Sequence, residues 1–497
     1  MSAPARIRDA ALGGALGLGL LADLIIRADG RPGLNVLLWA LAGAGVLWLL
    51  SGRRGAPVSR ETWWLVGAAV GFATLLVLRD ADALAVFCLF AGLVLLGFAA
   101  GRGARAWALQ AHIVDVVAGA VRVAGLIVLG PLGWGLGPAR EPAPQSAAGA
   151  PAWPRHARVL ARGTAMALPP LLVLTGLLAS ADPVFEQVLH AAFFGGFESL
   201  IEHVLFTGII AWFTVGYLRA YLVGDDVAMD RVHLPRPGLA PAEVAVALSL
   251  LNVLFVVFLA VQVRYLFGGA GLVEATTGLS YAEYARRGFF ELVTAAALVV
   301  PVLLIADWAA DDSRHRPFLR VTSTLLVLLL AGVLASAAYR MRLYQAAYGL
   351  TEQRLYVSVF MVWLTGVLVL LAATVLRGRR RGFAFAAVAG GLACIAALHV
   401  LNPHALIARV NISRAEAGAE VDGRYLGTLS ADAVPELLAQ LPALPGEEQC
   451  RVATMLEERW TGERPGGWRS WNLSDARARR LLAGFTPPAA CGAVAAQ

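Results

Sequence analysis

Long apolar runs alternate with short connections along this chain. A helix that crosses a bilayer needs about 20 apolar residues. Runs of that kind fall near 10–27, 34–50, 62–79, 83–100, 163–180, 199–219, 242–264, 289–306, 318–338, 354–376 and 383–401. Another run, 112–136, contains Asp115 and Arg122 on one helix face, followed by Gly130-Pro131. The pattern predicts an all-α fold: a polytopic α-helical membrane protein of 11–12 transmembrane helices with a small, mostly helical C-terminal soluble domain. Its partner is the lipid bilayer.

The connections set the expected orientation. Arginine clusters occur at 53–60, 102–105, 140–162, 219–236, 314–320 and 377–381, whereas 181–198 has none. Short cytoplasmic loops carry an excess of basic residues. All these clusters lie inside only if 112–136 does not cross but is re-entrant or interfacial. That gives eleven spans, with the N-terminus cytoplasmic and the tail extracytoplasmic. If 112–136 crosses, twelve spans result and half of the chain breaks the rule; the eleven-span reading is preferred.

Four regions follow: an N-terminal membrane region, 1–136; a linker rich in Arg, Pro, Ala and Gly, 137–162; a membrane core, 163–401; and a soluble tail, 402–497. Similar turn residues suggest three related hairpins at 163–219, 242–306 and 318–376. Outward turns that simply favour Gly and a Ser/Thr cap explain the same features, and that explanation is preferred. In the tail, Asn402-Pro403 starts a helix and Asp422-Gly423 forms a turn. Ser430 and Ser474 cap helices near 431–441 and 475–485, and a further helix covers 447–460. Trp460, Trp468 and Trp471 are expected in the core or against the membrane.

Composition agrees with the pattern. Of 497 residues, 58% are hydrophobic and only 15% charged, against about 25% charged for a soluble protein. The formal net charge is +7 and every one of the 41 basic residues is Arg. These arginines sit in loops between apolar runs, so the basic balance does not imply nucleic acid. Cys88 and Cys394 lie in apolar runs. Cys450 and Cys491 are the only cysteines of the tail, and outside the cytoplasm they are expected to pair.

The stretch 280–292 is dense in signals. Ser280 and Glu283 fit a capping box. Glu283, Arg287 and Glu291 share a helix face, and Tyr281, Tyr284, Phe289 and Phe290 suit a membrane interface. Glu291 opens an apolar run, where a carboxylate must pair, face a polar cavity or take up a proton. Together with Ala181-Asp-Pro-Val-Phe185 and Asp422-Gly-Arg-Tyr-Leu426, this stretch resembles a bacterial membrane family known as a domain of unknown function, the 4153/4173 group. The resemblance covers roughly Leu160 to Leu441, leaving the N-terminal spans outside. It implies a multi-span protein of the bacterial inner membrane and no activity.

Two constellations could carry chemistry. Asp182, Glu186 and His190 recur at helical spacing; Glu198 and Glu202 repeat it, with His203 adjacent. Such a set can bind a divalent metal, but a solvated outer helix is the preferred reading. Asn252 and Gln262 lie within a span that ends at Arg264. They are read first as interhelical glue, and alternatively as a polar pathway with Arg264 and Glu291. No nucleotide-binding loop, metalloprotease motif or nucleophile elbow is present. No catalytic residue, cofactor or metal is expected; an intramembrane enzyme, resting on the Asp182–His203 cluster, is the least favoured reading. A transport-like role, for a solute or coupled to protons, is slightly preferred. The alternative is a membrane sensor, scaffold or assembly protein presenting the tail to a partner.

Overall fold

The structure is a computed structural model. It describes residues 3–27, 31–52, 58–101, 113–135, 171, 174–175, 178, 181–184, 198–223, 239–267, 289–309, 316–378, 382–460, 467–488 and 491. The described chain is helical, with no strand. Eleven of the described helices are long and apolar enough to cross a membrane. They are α1 (Ala3–Ala22, continuing in a π turn to Arg27), α2 (Leu34–Ser51), α3 (Arg60–Leu78), α4 (Asp82–Ala100), α5 (Ile113–Gly135), α6 (Glu198–Val223), α7 (Pro241–Phe267), α8 (Phe289–Ala309), α9 (Arg316–Tyr348), α10 (Glu352–Ala373) and α11 (Phe383–Leu401). The outward faces of these helices are leucine, valine and phenylalanine, as at Leu93, Leu254, Leu328 and Val362, all well exposed. A bundle with apolar residues both inside and outside has lipid as its solvent.

The eleven differ from the expected eleven in one member. The run 112–136, expected not to cross, forms the unbroken α5, packed against α6. Gly216 of α6 lies against the Ile127 backbone with no room for a Cβ. The expected span 163–180 falls largely outside the described residues, as does the linker 137–162. α9 continues ten residues past the expected end at 338. At 1.5 Å per residue its 33 residues reach about 50 Å, well beyond a hydrocarbon core of about 30 Å.

The helices pack in two groups. One joins α7, α8, α9 and α10 around Leu326, Leu330, Leu303 and Leu364. The other joins α1 to α6, and α11 lies between the two groups, against α10 and α4. Of the expected 242–306 hairpin, α7 packs mainly on α9 and only lightly on α8.

The C-terminal domain follows at once: α12 (Pro403–Glu416), α13 (Gly423–Thr428), α14 (Val434–Gln440), α15 (Gly446–Trp460) and α16 (Leu473–Leu482). Asn402 accepts the Ala405 N–H and caps α12. Asp422-Gly423, expected as a turn, starts α13, with the Asp422 carboxylate accepting the Tyr425 N–H. Ser430 caps a short 3-10 turn ahead of α14. Asn472 caps α16 instead of Ser474, because the Ser474 hydroxyl is engaged elsewhere. The domain core of Ile407, Ile412, Leu426, Leu437 and Leu456 also takes in Leu350 and Leu355 from the α9–α10 turn. Trp460 is in this core, whereas Trp468 and Trp471 are exposed. Cys450 and Cys491 are joined by a disulfide.

Candidate functional site: the junction of the C-terminal domain and the membrane helices

Three turns between spans meet the C-terminal domain: 31–35 before α2, 79–81 between α3 and α4, and 349–351 between α9 and α10. Their polar groups need partners, because each turn leaves helix-terminal amides and carbonyls unpaired.

At the α3–α4 turn the partner is Asp432. Its carboxylate is buried and accepts the backbone N–H groups of Asp80 at 2.9 Å and Ala81 at 3.1 Å. It also takes the Ser474 hydroxyl at 2.5 Å, the Ser430 hydroxyl at 3.2 Å and the Arg79 guanidinium at 3.4 Å. Buried charge is costly unless bonded in this manner. Ser474 approaches the Leu78 carbonyl at 3.0 Å, which explains why it is not the cap of α16. Asp80 accepts the Asn472 side-chain amide at 3.0 Å and the Ala431 N–H at 3.2 Å. Burial pushes the Asp80 carboxyl above its usual range, more than these two hydrogen bonds lower it, and the nearby charges of Asp432 and Asp475 add to the rise.

At the α9–α10 turn, both polar groups of the Leu350 backbone are held by Asn411. Its carbonyl accepts the Leu350 N–H and its amide donates to the Leu350 C=O, each at 2.8 Å. Arg414 donates to the Ala346 and Ala347 carbonyls, and so caps the negative end of α9. The Tyr425 hydroxyl accepts the Glu352 N–H at 3.1 Å, and burial raises its pKa. His404 Nδ1 accepts the Ser430 N–H, so the ring presents Nε2–H to Glu352 Oε1 at 2.9 Å. At the α1–α2 turn, Gly33 lies beneath the Ser470 and Trp471 carbonyls, where a Cβ would come within 3.0 Å of both. The Leu34 and Asn35 amides donate to Trp471 and Arg469.

Beneath the junction, Arg79 donates to the His399 carbonyl. His399 Nδ1 bonds the Ile395 carbonyl, which leaves Nε2 to accept from the Cys88 thiol at 3.3 Å. Cys88 thus has a polar partner as well as apolar packing.

The residues singled out from sequence lie apart from this junction. Glu291 is exposed in the first turn of α8. Its expected partners Glu283 and Arg287, and the side chain of Arg264, lie outside the described residues. Asn252 donates to the Leu248 and Thr322 carbonyls. Gln262 accepts from Ser336 at 3.0 Å and from Arg340 at 2.7 Å. Both bind α7 to α9, and the buried Arg340 carries no sequence signal because the hydropathy falls just before it. Asp182 accepts the Val184 N–H in a local turn. Glu186, His190 and the side chain of Glu198 lie outside the described residues. Glu202 and His203 meet α1: Arg27 reaches both while holding Asp23, and His203 bonds Asp23. Among the described residues no three His, Cys, Asp or Glu side chains converge as a metal site would require.

Of the junction residues, Asp80 carries one faint sequence signal. Arg79-Asp80-Ala81-Asp82 is a charged turn, too short to be a free loop, between two long apolar runs. Family motifs mark the same place: in Asp422-Gly-Arg-Tyr-Leu426, Asp422 caps α13, Tyr425 reaches Glu352 and Leu426 fills the core.

Apolar spans in two packed groups beneath a docked helical domain define a polytopic helical membrane protein. The chain belongs to the family described as Domain of unknown function (DUF4153), whose model matches residues 66–440. The match begins within α3, so N-terminal spans expected outside the family are partly inside it. No curated protein and no solved structure matches the chain.

Proposed function

We propose that this is a bacterial inner-membrane scaffold or sensor whose C-terminal domain, outside the cytoplasm, clamps the two helix groups and presents itself to a partner. The observation that carries this reading is the junction. One domain binds the α1–α2 and α3–α4 turns of one group and the α9–α10 turn of the other. A domain tethered only by a linker would leave those turns to water.

Connectivity supports this orientation. The 31–35, 79–81 and 349–351 turns lie on the face of the C-terminal domain. The contact of Arg27 with Glu202 and His203 sets the start of α6 on that face too. α7 and α9 run parallel, as Asn252 meets Thr322 and Gln262 meets Ser336. Among the described helices α4 therefore ends on the far face and α6 starts on the domain's face, and this supports an odd number of spans with N-terminus and tail on opposite sides. In sequence, the stretches after α2, α4 and α10 contain Arg53, Arg54, Arg102, Arg105 and Arg379–Arg381, whereas the only basic residues of the 31–35, 79–81 and 349–351 turns are Arg31 and Arg79. The positive-inside rule makes the far face cytoplasmic, and the Cys450–Cys491 bond suits an oxidising compartment.

A transport-like role has less support. The hydrogen bonds of Asn252 and Gln262 run to α9, as structural ties between helices do. Two experiments test the proposal. Membrane-impermeant maleimide on intact spheroplasts should label Ala417→Cys and not Gly52→Cys; the reverse pattern overturns the orientation. In liposomes, purified protein should give proton and solute fluxes no larger than empty vesicles. A flux that Gln262→Ala abolishes would establish transport in place of scaffolding.

A further inference from the structure

We infer that the C-terminal domain also rests on the lipid bilayer itself, through a face built by Trp468, Trp471 and the outer side of α16. This face is independent of the polar junction. Trp468 is 60% exposed, Trp471 37%, Leu473 49% and Leu481 45%. On α16, Leu473, Arg477, Arg480 and Leu481 fall at i, i+4, i+7 and i+8 and are all exposed, so one helical stripe is apolar with two cations. The opposite side, Ala478 and Leu482, is buried in the domain core.

Position identifies what covers this stripe. Backbone hydrogen bonds join Trp471 and Arg469 to the first residues of α2, at 3.1 Å and 2.7 Å. Ser474 joins the last residue of α3 at 3.0 Å. The segment is therefore pinned to the ends of two spans, at the depth where hydrocarbon gives way to headgroups. Tryptophan is enriched at that depth because its ring is apolar and its N–H polar. Arginines beside leucines are the composition of helices that lie in the interface, with the guanidinium groups on lipid phosphates. A water-facing domain surface gains nothing from exposing two tryptophans and two leucines. The lipid surface thus continues from the spans onto the domain, and this holds whichever face of the membrane is cytoplasmic.

The test uses full-length protein in vesicles of phosphatidylcholine and phosphatidylglycerol whose acyl chains are brominated near the headgroup. Emission is recorded for the wild type and for the double variant Trp468→Phe/Trp471→Phe, with and without bromine. The difference spectrum isolates the two rings from the other eleven tryptophans, since the chain has 13. We expect that difference emission to be lost in brominated vesicles and to survive aqueous iodide. Difference emission lost to iodide but kept in brominated lipid would place the rings in water and overturn the inference. Emission that survives both quenchers would mean a protein covers them, and would overturn it equally. An unchanged melting temperature of the double variant checks its folding. Because neither quencher depends on orientation or on a partner, the result stands apart from the test of the scaffold role.

Discussion

Asp432 and Asp80 are 352 residues apart in sequence, yet the carboxylate of the first accepts the backbone N–H of the second at 2.9 Å. The contact turns two spans and a tail into one body. Asp432→Ala would leave the Asp80 and Ala81 amides, the Ser474 hydroxyl and part of Arg79 without their acceptor. The expected loss is about 3 kcal/mol, the scale for breaking a buried charged contact. Asp432→Asn keeps the shape and one acceptor and should lose less. Thermal melting in detergent should order the proteins wild type, Asn, Ala; equal melting of all three would remove Asp432 from the clamp.

The raised pKa of Asp80 gives a pH dependence of known sign. The folded state holds this proton more tightly than the unfolded state does. Stability from this group is therefore greatest at low pH and is lost as pH rises from the ordinary carboxylate value to the raised one. Asp80→Asn has no such proton. Its melting temperature relative to wild type should improve as pH rises through that window, then level off. A difference that is flat with pH would show that Asp80 does not titrate in the folded protein.

Gly349 is left-handed at φ +74°, and a Cβ there would lie 2.5 Å from Asn411 Oδ1 and 2.6 Å from Arg414 Nη1. Gly418 is also left-handed, at φ +88°, but opens onto free space. Gly418→Ala should cost only the backbone term, about 1–2 kcal/mol. Gly349→Ala should cost more, because it also pushes Asn411 and Arg414 off the α9–α10 turn. Limited proteolysis of the C-terminal domain should therefore be faster for Gly349→Ala; equal rates would mean that Asn411 does not hold the turn.

Within the membrane, α5 and α6 touch closest at Gly216, which lies against the backbone of Ile127. Small residues allow such approach. Gly216→Ala should destabilise by about 1–3 kcal/mol through overpacking. Gly208→Ala in the same helix, where nothing lies within 4 Å, should be neutral or slightly stabilising. Melting of the two variants in detergent separates them, and a stable Gly216→Ala would mean that α5 does not seat there.

The Cys450–Cys491 bond closes a separation of 41 residues. In the chain-entropy model that constraint is worth about 4 kcal/mol. Reducing agent should lower the melting transition of the C-terminal domain and speed its proteolysis from Gln497 inward. No change on reduction would show that the domain core holds α15 and the C-terminal segment without it.

Most described spans can be placed from the chain alone, since bilayer thickness sets the length of an apolar run without reference to any neighbour. So can local starts such as Asn402-Pro403 and Ser430, where donor and acceptor lie within three residues of each other. Packing between distant elements sets the rest. The end of α9 was hidden because Arg340 ends the apolar run, while its bond to Gln262 on α7 keeps it buried. Ser474 is the cap that local spacing offers for α16, but Leu78 and Asp432 engage its hydroxyl and Asn472 caps the helix. Apart from the charged turn 79–82, the junction had no local signal for the same reason: Asp432 and Asn472 are ordinary polar residues until folding brings them to Asp80 and excludes water. Charge in a chain becomes a site only when a partner distant in sequence removes its solvent.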